Sequence, residues 1–239
     1  MKNVSLATVG AVCAVLTSAA FVVGIALSVG SGVQTLIPET GQEGLDWIAD
    51  VNDASGAFFA GAWLANLGGF LGIVALIGFY DALKGAGPAL VLAPILGAVG
   101  LTLVTVSHLI PLAMAYELAP GYAEATPAAQ ESLAVTADTL SSVSLVTNYA
   151  GNALGWGVAV PLYAYAILKT GAVPRWIGWL GWFVALFAGW LSLLGPASSA
   201  IEGLTVFGFL GFFVFMASMG VALLRRRGAV EEGAPAAVH

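Results

Sequence analysis

Residues 148–181, NYAGNALGWGVAVPLYAYAILKTGAVPRWIGWLG, are the most informative part of the sequence. Residues 148–168 carry no charge, so this part can cross the hydrocarbon layer of a membrane as a helix. Pro174 predicts a break, after which a second helix begins near Trp176. The stretch therefore indicates a membrane hairpin, in which Lys169 and Arg175 bracket the turn between two spans.

Composition supports this interpretation for the whole chain. Of 239 residues, 59% are hydrophobic and 8% are charged, whereas roughly a quarter of the residues in a soluble domain are charged. The single cysteine, Cys13, excludes an internal disulfide and a CxxC metal or redox site. We therefore predict an all-α polytopic membrane protein.

The apolar helical patterns predict one membrane domain over residues 1–227. Its first apolar run, about 25 residues, is longer than a signal-peptide core of 7–15 residues and is interpreted as a retained helix. Pro94 and Pro111 are each expected to kink the third span. Residues 228–239 are predicted to be a disordered cytoplasmic tail. The six predicted spans are about 5–29, 54–77, 89–116, 141–168, 176–194 and 204–224.

Two acidic connections, at about 31–53 and 117–138, are the longest loops between these spans. In the first, Leu45, Ile48 and Val51 lie opposite three aspartates on a helical projection, which predicts a short amphipathic helix on the membrane surface. A second short amphipathic helix is predicted in the other loop, where Thr126 and Pro127 form a helix-start signal.

If the chain crosses the membrane six times, its basic residues and most of its acidic residues fall on opposite sides of the membrane. All seven basic residues fall on one face: Lys2, Lys84, Lys169, Arg175, Arg225, Arg226 and Arg227. Most acids fall on the other face: Glu39, Glu43, Asp46, Asp50, Asp53, Glu117, Glu124, Glu131, Asp138 and Glu202. The positive-inside rule then places both termini in the cytoplasm, with the protein in the cytoplasmic (bacterial inner) membrane.

Small residues form a seam on the second span at helical spacing: Gly61, Ala65, Gly68 and Gly72. Such a seam lets another helix approach closely in lipid, so we interpret it as a helix-contact surface. Residues 66–88 and 152–174 also share an Asn, a Gly, an aromatic residue and a closing Pro at equivalent positions. An ancient hairpin duplication is therefore a hypothesis that the sequence leaves open.

Polar residues within the spans are the candidates for function. The set that would line a polar cavity is His108, Thr105, Asn66, Asn148, Tyr149, Asn152 and Glu117. His108 is the focus, because ionisable groups at membrane depth often serve function. The alternative is structural: a neutral histidine bonded to a neighbouring helix, and asparagines that join helices.

No metal, cofactor or catalytic residue is predicted. The chain has two histidines, which excludes a three-histidine zinc site, and the triad, nucleotide-binding and HExxH motifs are absent. Aromatic residues would pack in the core or against lipid, or would contact a bound lipid or apolar pigment. They are Trp156, Phe207, Phe209, Phe212, Phe213 and Phe215.

The turn between the fourth and fifth spans resembles that of a large family of uncharacterised bacterial six-helix membrane proteins, known as a domain of unknown function. The residues that carry the likeness are Leu168, Lys169, Gly171, Pro174, Arg175, Gly178 and Gly181. The resemblance implies a six-helix membrane fold and location, and it implies no catalytic residues.

Three classes of function remain, in this order. The first is a non-catalytic membrane protein, either an accessory subunit of a membrane complex or a binder of lipid or another apolar ligand. The second is a small transporter with a polar cavity near His108, Asn148 and Asn152. The third is a membrane enzyme that uses His108 with an acidic residue. Expected partners are membrane lipid, other membrane subunits or further copies of the chain, and not nucleic acid.

Overall fold

The computed structural model describes residues 4–33, 42–54, 56–197 and 199–231, and these ranges are almost entirely helical. Short 3-10 or π-helical segments connect or extend several helices: Lys84–Ala86, Pro88–Val91, Gly155–Ala159, Ala185–Trp190 and Leu191–Ala197. The α-helices are α1 (Leu6–Gly30), α2 (Gln42–Asn52), α3 (Gly56–Leu83), α4 (Leu92–Glu117), α5 (Ala119–Ala123), α6 (Pro127–Leu154), α7 (Val160–Thr170), α8 (Arg175–Val184) and α9 (Ser199–Glu231).

Six helical stretches in the described part of the chain are long and apolar enough to cross a membrane. They confirm the prediction of an all-α protein with six long apolar helices. The stretches are Leu6–Gly30, Gly56–Ala86, Pro88–Glu117, Pro127–Thr170, Arg175–Leu194 and Gly203–Arg227.

The fourth stretch differs most from its predicted bounds. Its helix begins at Pro127, as the helix-start signal predicts, but it then continues without interruption into the span that we expected from about residue 141. The reason is local, because the next Gly or Pro after Pro127 is Gly151. The second acidic loop therefore holds the five-residue helix α5 and the first turns of α6, rather than a separate amphipathic helix.

Two further elements depart from the sequence-based bounds. Pro94 was expected to kink the third span, but it is the third residue of α4, where the missing N–H is one that a helix start leaves unbonded anyway. The last helix extends to Glu231, past the residue at which we predicted the tail to begin. The rest of that predicted tail, 232–239, lies outside the described residues.

The chain divides into two compact units. We call the first the basic unit, which comprises Met1–Ala19, Gly68–Thr102 and Ala150–His239. The second, the acidic unit, comprises Ala20–Leu67 and Leu103–Tyr149. The sequence of the acidic unit contains no Lys or Arg, and its described carboxylates are all exposed: Asp46, Asp50, Asp53, Glu117, Glu124, Glu131 and Asp138.

Within the basic unit, hydrogen bonds bring the turns and helix ends that carry basic residues to one end, here called the basic end. Arg226 donates to the carbonyl of Ala172 at 3.5 Å, and Arg227 donates to Thr8 Oγ1 at 2.9 Å. Asp81 accepts from the Ala7 backbone N–H at 3.2 Å. The described basic residues therefore share one end, as the six-span scheme requires, while the assignment of that end to the cytoplasm stays a prediction.

The two predicted hairpins of the duplication hypothesis turn in different ways. After α3, a 3-10 turn leads to Gly87, whose φ is +138°. After α7, Gly171 (φ +62°) ends the helix by donating its N–H to the carbonyl of Ile167 at 2.9 Å. Pro174 then precedes α8, which begins at Arg175, close to the predicted start at Trp176.

Two glycines of α3 lie close against α1, and one of them, Gly61, belongs to the small-residue seam. In the basic unit, a Cβ placed on Gly78 would lie 2.5 Å from the Cα of Gly10. In the acidic unit, a Cβ on Gly61 would lie 2.5 Å from the carbonyl oxygen of Gly24. Ala65 is fully buried, and Gly68 and Gly72 are buried as well. The helix that contacts α3 at Gly61 and Gly78 therefore belongs to the same chain.

The helix α2 occupies the first acidic connection. Its apolar side packs into a cluster of the acidic unit rather than against lipid alone, because Ile48 and Val51 are buried. The aspartates Asp46, Asp50 and Asp53 are exposed, and the side chain of Leu45 lies outside the described residues. The buried members of the cluster are Val33, Trp47, Ile48, Val51, Phe58, Met114, Ala115, Ala119 and Ala137.

Candidate functional site

A proline in α4 determines the best-defined polar contact of the acidic unit. Pro111 has no N–H, so the carbonyl of Ser107, four residues earlier, loses its helical donor. The Ser144 hydroxyl of α6 donates to this carbonyl at 2.6 Å. Asn148, one turn further along α6, donates through Nδ2 to Ser107 Oγ at 3.1 Å. Asn148 thus joins two helices, which is the structural role that we gave it as the alternative to a cavity.

Thr105 and His108 lie on a different side of α4. Tyr116 marks the side of this helix that contacts α3, since its ring lies 4.8 Å from that of Phe59. At about 100° per residue, Thr105 lies roughly 20° from Tyr116, and Ser107 lies about 180° from it. On this ideal projection Thr105 falls on the same side of α4 as Tyr116, and His108 falls between the sides of Tyr116 and Ser107. Among the described residues, Thr105 Oγ1 and His108 Nδ1 are buried without a hydrogen-bond partner.

Asn66 and Ser141 are two further buried polar side chains of the acidic unit. Asn66 is 1% exposed and donates through Nδ2 to the carbonyl of Ala62 in its own helix at 2.9 Å. Its Oδ1 and the Ser141 hydroxyl have no hydrogen-bond partner in the described part of the chain. Asn66 therefore bonds within α3, rather than across helices as we expected of an intramembrane amide.

The remaining members of the predicted cavity differ in burial. Asn152 is buried in the basic unit. Tyr149 is partly buried in the acidic unit, and Glu117 is exposed at the end of α4. On the helical projection Glu117 lies about 180° from His108. Helical spacing in the sequence did not reveal the contact of Ser107 with α6.

A surface cavity in the basic unit was not predicted from the sequence. We call it the Lys169 groove; it has a volume of about 270 Å³ and lies in the basic unit. One charged side chain, Lys169, lines it, and the rest of the lining is backbone, apolar side chains and one tyrosine. The lining residues are Ala86, Gly87, Pro88, Ala89, Leu90, Leu162, Tyr165, Ala166 and Lys169.

Lys169 is held in place by two contacts. Its Nζ donates to the carbonyl of Ala86 at 2.8 Å, and it lies 5.8 Å from the centre of the Tyr165 ring. Leu162, Tyr165, Ala166 and Lys169 follow the i, i+3, i+4, i+7 spacing of one helix face. That spacing, opposite a Gly-Pro turn, is the sequence signal that would have located the groove.

A smaller cavity of about 140 Å³ lies in the acidic unit between α2 and α5. Asp53 is its only carboxylate, and its lining is Ile48, Ala49, Asn52, Asp53, Ala119 and Tyr122. Within the described residues, no group of three or more His, Cys, Asp or Glu side chains is placed to hold a metal ion.

The aromatic residues considered for a pigment contact pack partly on one another. The ring of Trp156 stacks on that of Phe212 at 4.3 Å and 15°. Phe212 and Phe215 are buried, whereas Phe207 is 60% exposed. The stacked pair accounts for Trp156 as core packing, although its indole Nε1 has no hydrogen-bond partner among the described residues.

The long apolar helices and the polar contacts between them define a polytopic α-helical membrane protein. Residues 16–225 match the sequence profile of DUF4386, a domain of unknown function, and the chain belongs to that family. This match confirms the resemblance that rested on the turn at Lys169. No curated protein and no solved structure matches the chain.

Proposed function

We propose that this protein is a non-catalytic membrane protein that binds an amphipathic lipid molecule in the Lys169 groove. The observation that supports the proposal is the groove itself, which combines one fixed ammonium group with apolar walls. Its volume of about 270 Å³ is near the lower end of ligand pockets, which begin at roughly 300 Å³. An amphipathic molecule would match both parts of this lining.

The first class of function also included an accessory subunit of a membrane complex. The small-residue seam on α3 no longer favours that alternative. The seam was the sequence feature that pointed to a partner helix, but Gly61 of the seam meets Gly24 of α1, and Gly78, further along α3, meets Gly10 of α1. Partner subunits and further copies of the chain stay hypotheses, without that surface as support. Ligand binding in the Lys169 groove therefore ranks first.

Filling the groove tests the proposal. Ala89 lines the groove and is exposed, so Ala89→Trp is expected to fill it with little cost to folding. Lipid that copurifies in mild detergent is identified and counted by native mass spectrometry. The matched control is Ala150→Trp, an exposed alanine that does not line the groove. Loss of a specific bound lipid in Ala89→Trp alone supports the proposal, and the same lipid content in all three proteins contradicts it.

A small transporter is the second candidate, and one observation favours it. Four buried polar atoms of the acidic unit have no hydrogen-bond partner among the described residues: Asn66 Oδ1, Thr105 Oγ1, His108 Nδ1 and Ser141 Oγ. Buried polar atoms of this kind usually bond to water or a ligand, and polar groups within membrane spans often mark a solute path.

Proton flux into liposomes tests the transport hypothesis. The purified protein is reconstituted with a pH-sensitive dye inside the vesicles, and a pH step is applied. Transport of protons predicts a flux above that of empty liposomes, which His108→Ala abolishes while the protein remains folded. A wild-type flux equal to that of empty liposomes argues against proton transport.

The enzyme hypothesis loses one of its proposed pairings. Glu117 is exposed, and on an ideal helix it lies about 180° from His108, which weighs against an acid–base pair between them. We rank this hypothesis third, as the sequence did. If His108→Ala leaves assembly and lipid content unchanged, the first candidate is favoured over this one.

A further inference from the structure

We propose that the ligand of the Lys169 groove is an anionic phospholipid, with its phosphate at Lys169 Nζ and an acyl chain along Leu162 and Leu90. This inference rests on the proposed function and goes further, since it names the charge of the headgroup and the orientation of the lipid. Three features of the basic unit carry it: the charge of the lining, the direction in which its polarity changes, and the position of the turn.

The lining of the groove is positively charged and contains no carboxylate. An ammonium group has three N–H donors, and the carbonyl of Ala86 accepts one from Lys169. Two donors therefore remain for a ligand. Asp81, the carboxylate described near this turn, is bonded to Lys84 at 2.9 Å and to the Ala7 N–H, so it does not neutralise Lys169. The charge left over is complementary to an anion.

Polarity changes along the groove in the direction that a lipid requires. Lys169 lies at the end of α7, and Leu162 lies seven residues earlier, which is about 10 Å deeper along the helix. Leu90 and Ala166 complete the apolar wall. A phosphate at Lys169 therefore leaves the glycerol and the first acyl segment against apolar side chains. A free phosphate ion would contact Lys169 and leave this wall uncovered.

The turn that faces Lys169 is at the basic end, among other cations. The 3-10 segment Lys84–Ala86 carries Lys84, whose side chain is 64% exposed, and Gly87 and Pro88 follow as walls of the groove. Phosphatidylglycerol adds only negative charge to this end. Phosphatidylcholine offers the same phosphate but also a quaternary ammonium, which Lys169 repels. The groove is therefore expected to select the anionic lipid.

The test compares the two lipids in the intact protein. The full chain is placed in nanodiscs of phosphatidylcholine with increasing phosphatidylglycerol, and the lipids retained on release are counted by native mass spectrometry. Lys169→Gln keeps an amide donor for the Ala86 carbonyl but removes the charge. It is expected to lower the retention of phosphatidylglycerol about tenfold and to leave phosphatidylcholine unchanged. The matched control, Lys84→Gln, removes an exposed charge of the same end that does not line the groove.

The outcomes separate this inference from the proposed function. Selective loss of phosphatidylglycerol in Lys169→Gln, with no change in Lys84→Gln, supports the inference. Equal retention of both lipids, blocked by Ala89→Trp but not by Lys169→Gln, overturns the anionic headgroup and leaves lipid binding intact. No effect of Ala89→Trp on either lipid overturns both. Equal losses of phosphatidylglycerol in the two lysine variants would indicate a general effect of surface charge and would overturn the inference. Displacement of the lipid by millimolar inorganic phosphate alone would indicate an ion site and would also overturn it.

Discussion

Pro111 shows how a single residue can require a partner from another helix. In lipid no water is available to bond the carbonyl that a helical proline leaves open, so a side chain of a neighbouring helix must do so. Ser144 fulfils this role for the Ser107 carbonyl at 2.6 Å, and Asn148 bonds the Ser107 hydroxyl. The positions of Ser144 and Asn148 on α6 are therefore explained in part by a proline in α4.

Ser144→Ala is expected to lower the free energy of unfolding by about 1–2 kcal/mol, because it leaves the Ser107 carbonyl buried and unbonded. The measurement is equilibrium unfolding in mixed micelles with increasing SDS. Thr147→Ala is the control, since the Thr147 hydroxyl bonds the Val143 carbonyl of its own helix at 2.7 Å. Its effect is expected to stay within about 0.5 kcal/mol.

A second variant tests whether the proline is the cause. Pro111→Ala restores an N–H four residues after Ser107, so the carbonyl regains a donor within α4. In this background Ser144→Ala is expected to cost about 1 kcal/mol less than in the wild-type protein. The same cost in both backgrounds would show that Ser144 acts through packing and not through the carbonyl that Pro111 exposes.

At the scale of the element, the contact between α1 and α3 depends on residues without side chains. A Cβ on Gly61 would lie 2.5 Å from the carbonyl oxygen of Gly24 and from the hydroxyl of Ser28. Backbone at this distance cannot move aside as a flexible side chain can. Close packing is the main force between helices in lipid, so this contact holds the N-terminal part of α3 against α1.

Gly61→Ala is therefore expected to destabilise the protein by about 1–3 kcal/mol, the usual cost of overpacking. Gly56→Ala is the matched control, because no atom lies within 4 Å of the Cβ that it would add. Alanine is the better helix former by roughly 1 kcal/mol, so this control is expected to be neutral or slightly stabilising. Equal losses in the two variants, measured by the same SDS unfolding, would contradict the close approach of α1.

The helix α2 is expected to be anchored by its apolar side chains. Ile48 is 1% exposed within the cluster of the acidic unit, so Ile48→Ala should weaken that attachment by about 2–5 kcal/mol. The readout is limited proteolysis of residues 42–54, which should be cleaved faster in the variant. Asp50→Ala, at an exposed position of the same helix, should leave the cleavage rate unchanged. A similar cleavage rate for the wild-type protein and Ile48→Ala would show that Ile48 does not anchor α2.

The whole molecule is characterised by the separation of its charges. Described Lys and Arg residues lie in the basic unit, and exposed carboxylates lie in the acidic unit. Hydrogen bonds of Arg226, Arg227 and Lys169 join turns that are far apart in the sequence. This pattern agrees with an even number of crossings, and the positive-inside rule then predicts that the basic end faces the cytoplasm.

Cysteine labelling tests this orientation. In a Cys13→Ala background, Glu124→Cys and Thr170→Cys place single thiols at exposed positions of the acidic and basic units. A membrane-impermeant maleimide is expected to label Glu124→Cys in intact cells and Thr170→Cys only after permeabilisation. The reverse labelling pattern would mean that the protein has the opposite orientation in the membrane. Labelling of both thiols in intact cells would contradict the six-span scheme.

The elements followed from the sequence more closely than their contacts did. Apolar runs and turn residues located the six long helices, and Pro174 marked the start of α8. These patterns did not distinguish a separate helix in the loop from the first turns of α6, because a polar helix and an apolar helix have the same backbone hydrogen bonds. For the polar residues, helical spacing separated Glu117 from His108, but it could not show that Asn66 bonds within α3.

By itself, the sequence determined the class of the protein, because the length of an apolar run and the position of its charges are properties of single segments in a membrane. Only the tertiary structure decided what those segments face. It placed α1 on the small-residue seam of α3, the Ser144 hydroxyl on the Ser107 carbonyl, and the turn at Ala86 opposite Lys169. Such pairings depend on which helices are neighbours and on their rotation, and residues distant in the chain determine both through packing.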